Sequence, residues 1–231
     1  MTLAVLMAGG KGMRLRPYTT ILPKPLLPVK DKPIIEIILK KLEKENFEKV
    51  IITVGHLASL IQTYISQLKL NLEIEYFFEE KPLGTIGSLK NLEKKLPENF
   101  IVINSDILTD LKFKDFLKFH IENNKILTIA TYTREVKIDF GIIEMDKNKT
   151  VKNYIEKPVL KYKVSMGIYA FKKEIVKFIP KQKFDFPQLV KKLLENKEKI
   201  QVYEHKGFWL DLGRKEDFEK IIKTNVSIPL Y

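Results

Sequence analysis

Three glycines, two arginines and a proline-bracketed lysine fall within the first 25 residues, and together they make a set suited to holding phosphate. Gly9, Gly10 and Gly12 come directly after the apolar run at Leu3–Leu6. Without side chains, such residues let several backbone N–H groups approach one anion. Arg14 and Arg16 follow at once; only four of the 41 basic residues are arginine, so half of the planar phosphate-gripping forks are concentrated in this loop. Lys24 lies between Pro23 and Pro25, whose rings restrict the dihedrals on either side and hold the amine in one place. Two familiar phosphate loops do not fit. A P-loop needs Gly-Lys-Ser/Thr after four spacer residues, whereas Lys11 lies between glycines; a dinucleotide fingerprint needs glycine where Leu15 stands. A second candidate is Asp106 in IVINSDIL, just past an apolar run. An aspartate there is often a turn former or helix cap, but beside bound phosphates a hard carboxylate is also how Mg²⁺ is held. In EEKPLGTIGSL, residues 79–89, Pro82-Leu83-Gly84 reads as a turn, with Thr85 capping a helix.

These positions need elements to carry them. Leu3–Leu6 reads as a strand buried on both faces. Ile34, Ile37, Ile38 and Leu42 recur at helical spacing within Pro33–Glu45, with Pro33 suited to a first turn. Next come a strand at Val50–Val54, a helix at Leu57–Leu68, a strand at Leu72–Phe78 and a helix from about Thr85 to Lys95. A strand at Phe100–Asn104, a helix at Lys112–Glu122 and a strand at Leu127–Thr131 follow. That alternation predicts an α/β fold, a doubly wound, mostly parallel, Rossmann-like sheet with helices on both faces. Ligands of such sheets bind beyond the C-terminal strand ends, where the glycine loop and Asp106 would meet. The second half offers shorter strand-like runs, FGIIE, YIEKP, SMGIYAF and FWLDLGRKEDF, with Trp209 read as core.

At 231 residues with 45% hydrophobic and 30% charged, the chain suits one domain with one large core. The net charge of +12 is almost all lysine, interspersed with acids as in KKLEKENFEK. Nucleic-acid readers cluster their charge and favour arginine, so a solvated surface that attracts anionic nucleotides is the better reading, with no nucleic-acid partner. No cysteine is present, which excludes disulfides, thiol nucleophiles and zinc-thiolate sites. No apolar segment has membrane-spanning length, and the first apolar run ends in Gly-Gly-Lys rather than in a signal peptide, so a cytoplasmic enzyme with no membrane partner is expected. His56, His120 and His205 match no ligand spacing and read as surface or packing residues.

AGGKGMRLRP followed by PKPLLPV and KPIIE resembles the N-terminal signature of the sugar-1-phosphate nucleotidyltransferases, with Met13 where that family usually has threonine. The resemblance implies a single catalytic domain over residues 1–231 with the nucleotide-diphospho-sugar transferase fold, and no β-helix domain after Tyr231. It implies a nucleoside triphosphate held by Ala8, Gly9, Gly10, Gly12, Arg14, Lys24, Glu79, Gly84 and Thr85, the last three cupping the base. Arg14, Lys24 and Asp106 would be catalytic, and Asp106 and Asp211 would bind Mg²⁺. Gly141 and Glu156 would approach the sugar hydroxyls and Lys157 the sugar 1-phosphate. Ser165 stands on the sugar-phosphate side where the family usually has asparagine. The Asn-Ser-Asp run at 104–106 is similar to the guanylyl-transferring, GDP-mannose pyrophosphorylase branch. Glu79 points the same way, because a carboxylate matches the paired N1–H and N2–H₂ donors of guanine. The activity implied is transfer from GTP to a sugar 1-phosphate. UTP, CTP or dTTP in place of GTP, or an inactive nucleotide-sugar-binding homologue, are the alternatives. A homo-oligomer is compatible with the family.

Overall fold

The computed structural model describes residues 1–214 and 217–219. β1 (Leu3–Ala8) is fully apolar and inserts side chains into two cores. Leu3 and Val5 face one, Ala4, Leu6 and Ala8 the other. The glycine loop follows, closed by a small ladder of β2 (Pro28–Val29) and β3 (Lys32–Pro33) that delivers the chain into α1 (Ile34–Lys44). Pro33 precedes that helix with extended dihedrals, and α1 buries Ile34, Ile35, Ile38, Leu39 and Leu42. Each such side chain contributes about 1.5–3 kcal/mol on leaving water. β4 (Lys49–Val54), α2 (Ala58–Ser66) and β5 (Glu73–Phe78) complete the first layer of alternation. α3 (Leu89–Leu92), β6 (Asn99–Asn104), β7 (Ile107–Thr109) and α4 (Phe113–Asn123) come next. The second half contains β8 (Leu127–Lys137), β9 (Ile142–Met145), β10 (Val151–Ile155), β11 (Val159–Lys172), α5 (Phe186–Glu195), β12 (Ile200–His205) and β13 (Trp209–Asp211).

Seven strands form the central sheet in the order β12-β8-β11-β6-β1-β4-β5. β11 runs antiparallel to both neighbours, and every other pairing is parallel. The expected doubly wound, mostly parallel sheet is therefore present. The chain leaves β1 for β4 and β5 on one side, then returns to place β6 on the other side of β1. That reversal opens a crevice at the C-terminal ends of β1 and β6, where α/β sheets bind ligands. Among the described residues no helix is long and apolar enough to cross a membrane.

Three expectations need correction. The helix expected from Thr85 begins at Leu89 and lasts four residues before a 3₁₀ turn at Glu93–Lys95, because the backbone of residues 85 and 86 is bonded elsewhere. Thr85 caps α5 instead of its own helix, its hydroxyl accepting from the Phe186 N–H at 2.8 Å. The strand at Leu127 runs on to Lys137, paired with the outer half of β11. Lys215 and Glu216 of the FWLDLGRKEDF segment lie outside the described residues.

Candidate active site

The glycine loop leaves β1 at Ala8, whose N–H is already committed to the Thr53 hydroxyl at 3.3 Å. Ala8 is thus packed in the strand, and the loop proper starts at Gly9. There a Cβ would lie 2.9 Å from the Glu79 carboxylate, so only glycine lets that carboxylate close on the loop. Gly10 faces open space. Gly12 has φ +61°, a region that side chains disfavour, and its carbonyl accepts from the Thr19 hydroxyl at 2.8 Å and the Leu15 N–H at 2.9 Å. Arg14 occupies a one-turn 3₁₀ helix (Met13–Leu15) and lines a hollow of about 220 Å³ with Gly12, Lys24 and Gly213.

Lys24 opens another 3₁₀ turn (Lys24–Leu26), entered from Pro23 in an extended conformation. Its carbonyl accepts from Leu27 N–H at 3.1 Å, so the proline-bracketed segment is a fixed mount for the amine. That amine is ion-paired to Asp106 Oδ2, leaving Asp106 Oδ1 buried without a hydrogen-bond partner. Asp106 lies two residues beyond β6, which pairs with β1 through Asn104 and Met7, and the Ser105 N–H donates to the Met7 carbonyl at 3.2 Å. Sheet pairing therefore places Asp106 on the rim beside the glycine loop.

Asp211 reaches the same point by a second ladder. β13 pairs antiparallel with β7 and matches Asp211 to Ile107, and Leu212 N–H donates to the Asp106 carbonyl at 2.9 Å. A register slip of one residue would turn the carboxylate to the other face. The ladder is pinned at its far end by Asp110, which accepts from Phe208 N–H and meets His205 Nε2, each at 2.7 Å. A Cβ on Gly213 would lie 2.6 Å from Lys24 Nζ and 2.8 Å from both Asp106 Oδ2 and Asp211 Oδ1, so the three charged groups converge on one spot. Burial raises the Asp211 pKa, and the neighbouring Asp106 charge adds to it; the Gly213 N–H and Lys24 pull the other way.

A second hollow, about 300 Å³, is lined by Gly9, Gly10, Gly12, Lys24 and Asp106 together with Glu79, Pro82, Gly84 and Thr85. Burial raises the Glu79 pKa, partly offset by the hydrogen bond from the Leu83 N–H at 3.2 Å and by the nearby Ser88 hydroxyl. Gly84 has φ +81° and no room for a side chain, since a Cβ would lie 2.6 Å from the Phe184 carbonyl oxygen. Thr53, Asn104, Ser105, Lys183 and Asp185 also line this hollow, none of them a site candidate from the sequence. Asn104 and Ser105 are read only as the run that leads into Asp106; Lys183 and Asp185 carry no sequence signal, because a segment nearly 100 residues away brings them in.

The sugar-phosphate candidates are divided. Ser165 lies where the β11 register against β8 shifts, and its hydroxyl donates to Tyr169 Oη at 3.3 Å. The Tyr169 pKa is pushed up to about 12 by burial, further raised by the charges of Asp106 and Asp211 and opposed by the Ser165 hydroxyl, so Ser165 belongs to the neighbourhood of the two carboxylates. Gly141, Glu156 and Lys157 instead form a group on the exposed arm built from β9, β10 and the outer ends of β8 and β11. Tyr154 packs over Gly141 and donates to Glu156 Oε2 at 2.8 Å, while Lys157 has φ +43° and a largely exposed amine. None of these three lines either hollow. Of the histidines, His120 is fully buried and shares a 2.8 Å hydrogen bond between Nδ1 and Thr128, the packing role expected of it.

A site that joins a glycine loop, a mounted lysine and two converging carboxylates at a sheet's switch point can hold a polyphosphate and a hard cation. Among the described residues no three acidic, histidine or cysteine side chains come together as a complete metal cage. Two carboxylates, one with a partnerless oxygen, suit a cation that keeps phosphate and water oxygens as its other ligands.

The chain is 31% identical over 254 residues to the UTP–glucose-1-phosphate uridylyltransferase of Synechocystis, covering 98% of this chain and 66% of that protein. It is 32% identical over 224 residues to the mannose-1-phosphate guanylyltransferase catalytic subunit beta of Drosophila pseudoobscura, covering 94% of this chain and 60% of that one. The chain thus spans 60% to 66% of the length of these relatives. Among solved structures, HddC from Yersinia pseudotuberculosis complexed with GMP-PN superposes with a TM-score of 0.73 at 26% identity, covering 96% of this chain and 98% of HddC. Residues 3–227 match the nucleotidyl transferase family, and the chain belongs to that family.

Proposed function

We propose that the chain transfers a nucleoside monophosphate from GTP to a sugar 1-phosphate, with Mg²⁺, releasing pyrophosphate. The observation that carries this reading is the convergence of Lys24, Asp106 and Asp211 at the mouth of the glycine loop. In the reaction, a phosphate oxygen of the sugar 1-phosphate forms a bond to the α-phosphorus while the bond to the pyrophosphate oxygen breaks. The attacking monoester has its second pKa at about 6 and is largely dianionic near neutral pH, so no general base is required. What the reaction needs is alignment and cations around the α-phosphoryl oxygens. Arg14 and Lys24 supply fixed positive charge, and the loop N–H groups orient the phosphates. Asp106 and Asp211 would hold the Mg²⁺, which when bound neutralises charge on the phosphates. Gly141, Glu156, Lys157 and Ser165 are proposed for the sugar phosphate, Lys157 as its anion partner. The names of the two relatives, acting on glucose 1-phosphate and mannose 1-phosphate, support a hexose 1-phosphate as acceptor.

Guanine is favoured because the Glu79 carboxylate lines the hollow and closes on Gly9. It can accept from two guanine donors, whereas uracil offers one donor beside a repelling carbonyl. The uridylyltransferase relative favours UTP as the second reading. Pyrophosphate release measured with GTP, UTP, CTP, ATP and dTTP against a panel of hexose 1-phosphates tests both. GTP should exceed the others by roughly tenfold to a hundredfold, since mispairing a buried polar group costs about 1–3 kcal/mol. Glu79→Gln should erode that preference, because an amide can serve either edge. Equal use of UTP, or a preference untouched by Glu79→Gln, would withdraw the assignment of the base; no turnover with any pair would favour an inactive binding homologue.

A further inference from the structure

Lys183 has no part in the reaction as proposed, yet it lines the same hollow as Gly9, Gly10, Glu79 and Thr85. Its backbone is secured on the C-terminal side. Phe184 N–H donates to the Leu83 carbonyl at 2.9 Å, and Ile86 N–H returns a bond to the Phe184 carbonyl at 3.2 Å. Asp185 Oδ1 accepts from Thr85 N–H at 2.9 Å, and Phe186 N–H donates to the Thr85 hydroxyl at 2.8 Å. On the other side the Gln182 carbonyl packs so closely on Gly87 that a Cβ there would lie 2.8 Å away. The stem of Lys183 is thus mounted on the wall that also carries Glu79. Among the described residues no carboxylate forms an ion pair with its amine.

The position of this amine along the hollow follows from the sheet. Glu79 follows β5 and Asp106 follows β6, with β1 and β4 between them. Three strand spacings put the two ends roughly 14 Å apart, with the glycine loop between. Lys24 pairs with Asp106 at the phosphate end; the contacts of Gln182, Phe184 and Asp185 with residues 83–87 put Lys183 beside the Gly84–Thr85 turn at the other, where the nucleobase would lie. An ammonium can only donate hydrogen bonds. Guanine offers O6 and uracil O4 as acceptors, whereas adenine and cytosine present exocyclic amino donors at those positions; N7 is an acceptor in both purines and does not discriminate.

We propose that Lys183 is a specificity-determining residue that selects keto bases, guanine or uracil, over the amino bases adenine and cytosine. The proposal rests on the nucleotidyl-transfer reading but not on its choice of GTP. Glu79 separates guanine from uracil, Lys183 separates both from adenine and cytosine, and together they specify guanine.

The test compares wild type with Lys183→Met and Lys183→Arg, using kcat/KM for GTP, ATP, UTP and CTP with one sugar 1-phosphate. Lys183→Met should lower both the GTP/ATP and UTP/CTP ratios about tenfold, through a higher KM for the keto nucleotides. Its kcat and its KM for the sugar phosphate should stay within about twofold of wild type, and Lys183→Arg should keep the discrimination. Wild-type preference for UTP over GTP would overturn the guanine reading, while a fall in UTP/CTP in Lys183→Met would still uphold the role of Lys183. Should no pair turn over, calorimetric binding of GMP against AMP to the same proteins reads the same ratio. Unchanged ratios would overturn the proposal. So would an equal weakening of all four nucleotides, matched by weaker inhibition by inorganic tripolyphosphate, because that pattern marks a phosphate contact.

Discussion

Asp106 and Asp211 are held close together at a cost, since burial and mutual repulsion both favour the protonated form of Asp211. Asp106 is matched by the Lys24 amine, so the repulsion falls on Asp211, where an asparagine would relieve it. Asp106→Asn and Asp211→Asn should each reduce turnover by roughly two orders of magnitude or more, while the melting temperature of Asp211→Asn stays unchanged or rises, the pattern expected where a site trades stability for activity. Full turnover by either variant, measured as pyrophosphate release, would remove the two-carboxylate basis of the metal site. The legibility of these residues differed. Asp106 could be read from sequence because it follows an apolar strand directly. Asp211 could not, since its position depends on a ladder between β7 and β13 whose partners are about 100 residues apart. Only the family resemblance pointed to it.

At the scale of elements, the loop around Gly84 and the start of α5 behave as one piece. Asp185 serves both as a cap for α5, in a capping box with Gln188, and as the acceptor for Thr85 N–H. The sequence reads Thr85 as the cap of its own helix because local spacing cannot reveal a partner 101 residues away. The helix α5 goes unread, and β11 is read only as the short run SMGIYAF and not over its 14 residues, whereas the alternation of strands and helices up to residue 131 is clear from periodicity. Gly84 is the tightest point of the joint. Gly84→Ala forces a side chain into a positive-φ position against the Phe184 carbonyl and should cost about 1–3 kcal/mol. Denaturant melts should show the loss, and KM for the nucleotide should rise while KM for the sugar phosphate changes little. An unchanged melt would mean that the joint adapts and does not hold the base wall in place.

For the molecule as a whole, His120 sets an acid limit on stability. It joins α4 to β8 through Thr128, and burial lowers its pKa from 6.5 to about 4, aided by the Lys172 charge. The folded state holds the imidazole neutral, so its contribution is complete above pH 6.5 and is lost as pH falls towards 4, up to about 3 kcal/mol. Glu36 and Glu75 are shifted below 4.5 and titrate later, whereas the raised carboxyls of Glu79 and Asp211 change stability in the opposite sense as pH falls, so the share of His120 in the window from pH 6.5 to 4.5 is read as the difference between wild type and a variant. Urea melts across that window should show falling stability in wild type and a flatter profile in His120→Gln; parallel profiles would assign the acid sensitivity elsewhere. A different balance operates at the active centre, where Lys24 sits against the same carboxylates that would hold the cation. The protein carries an internal substitute for the ion, so its folding should not depend on the metal. EDTA should stop turnover yet leave the melting temperature of wild type within about 1 °C. In Lys24→Met the two carboxylates lose that neighbour, and added Mg²⁺ or Mn²⁺ should raise the melting temperature of the variant but not of wild type. Amine and ion are rivals for one pair of carboxylates until a triphosphate arrives and gives the amine an anion of its own.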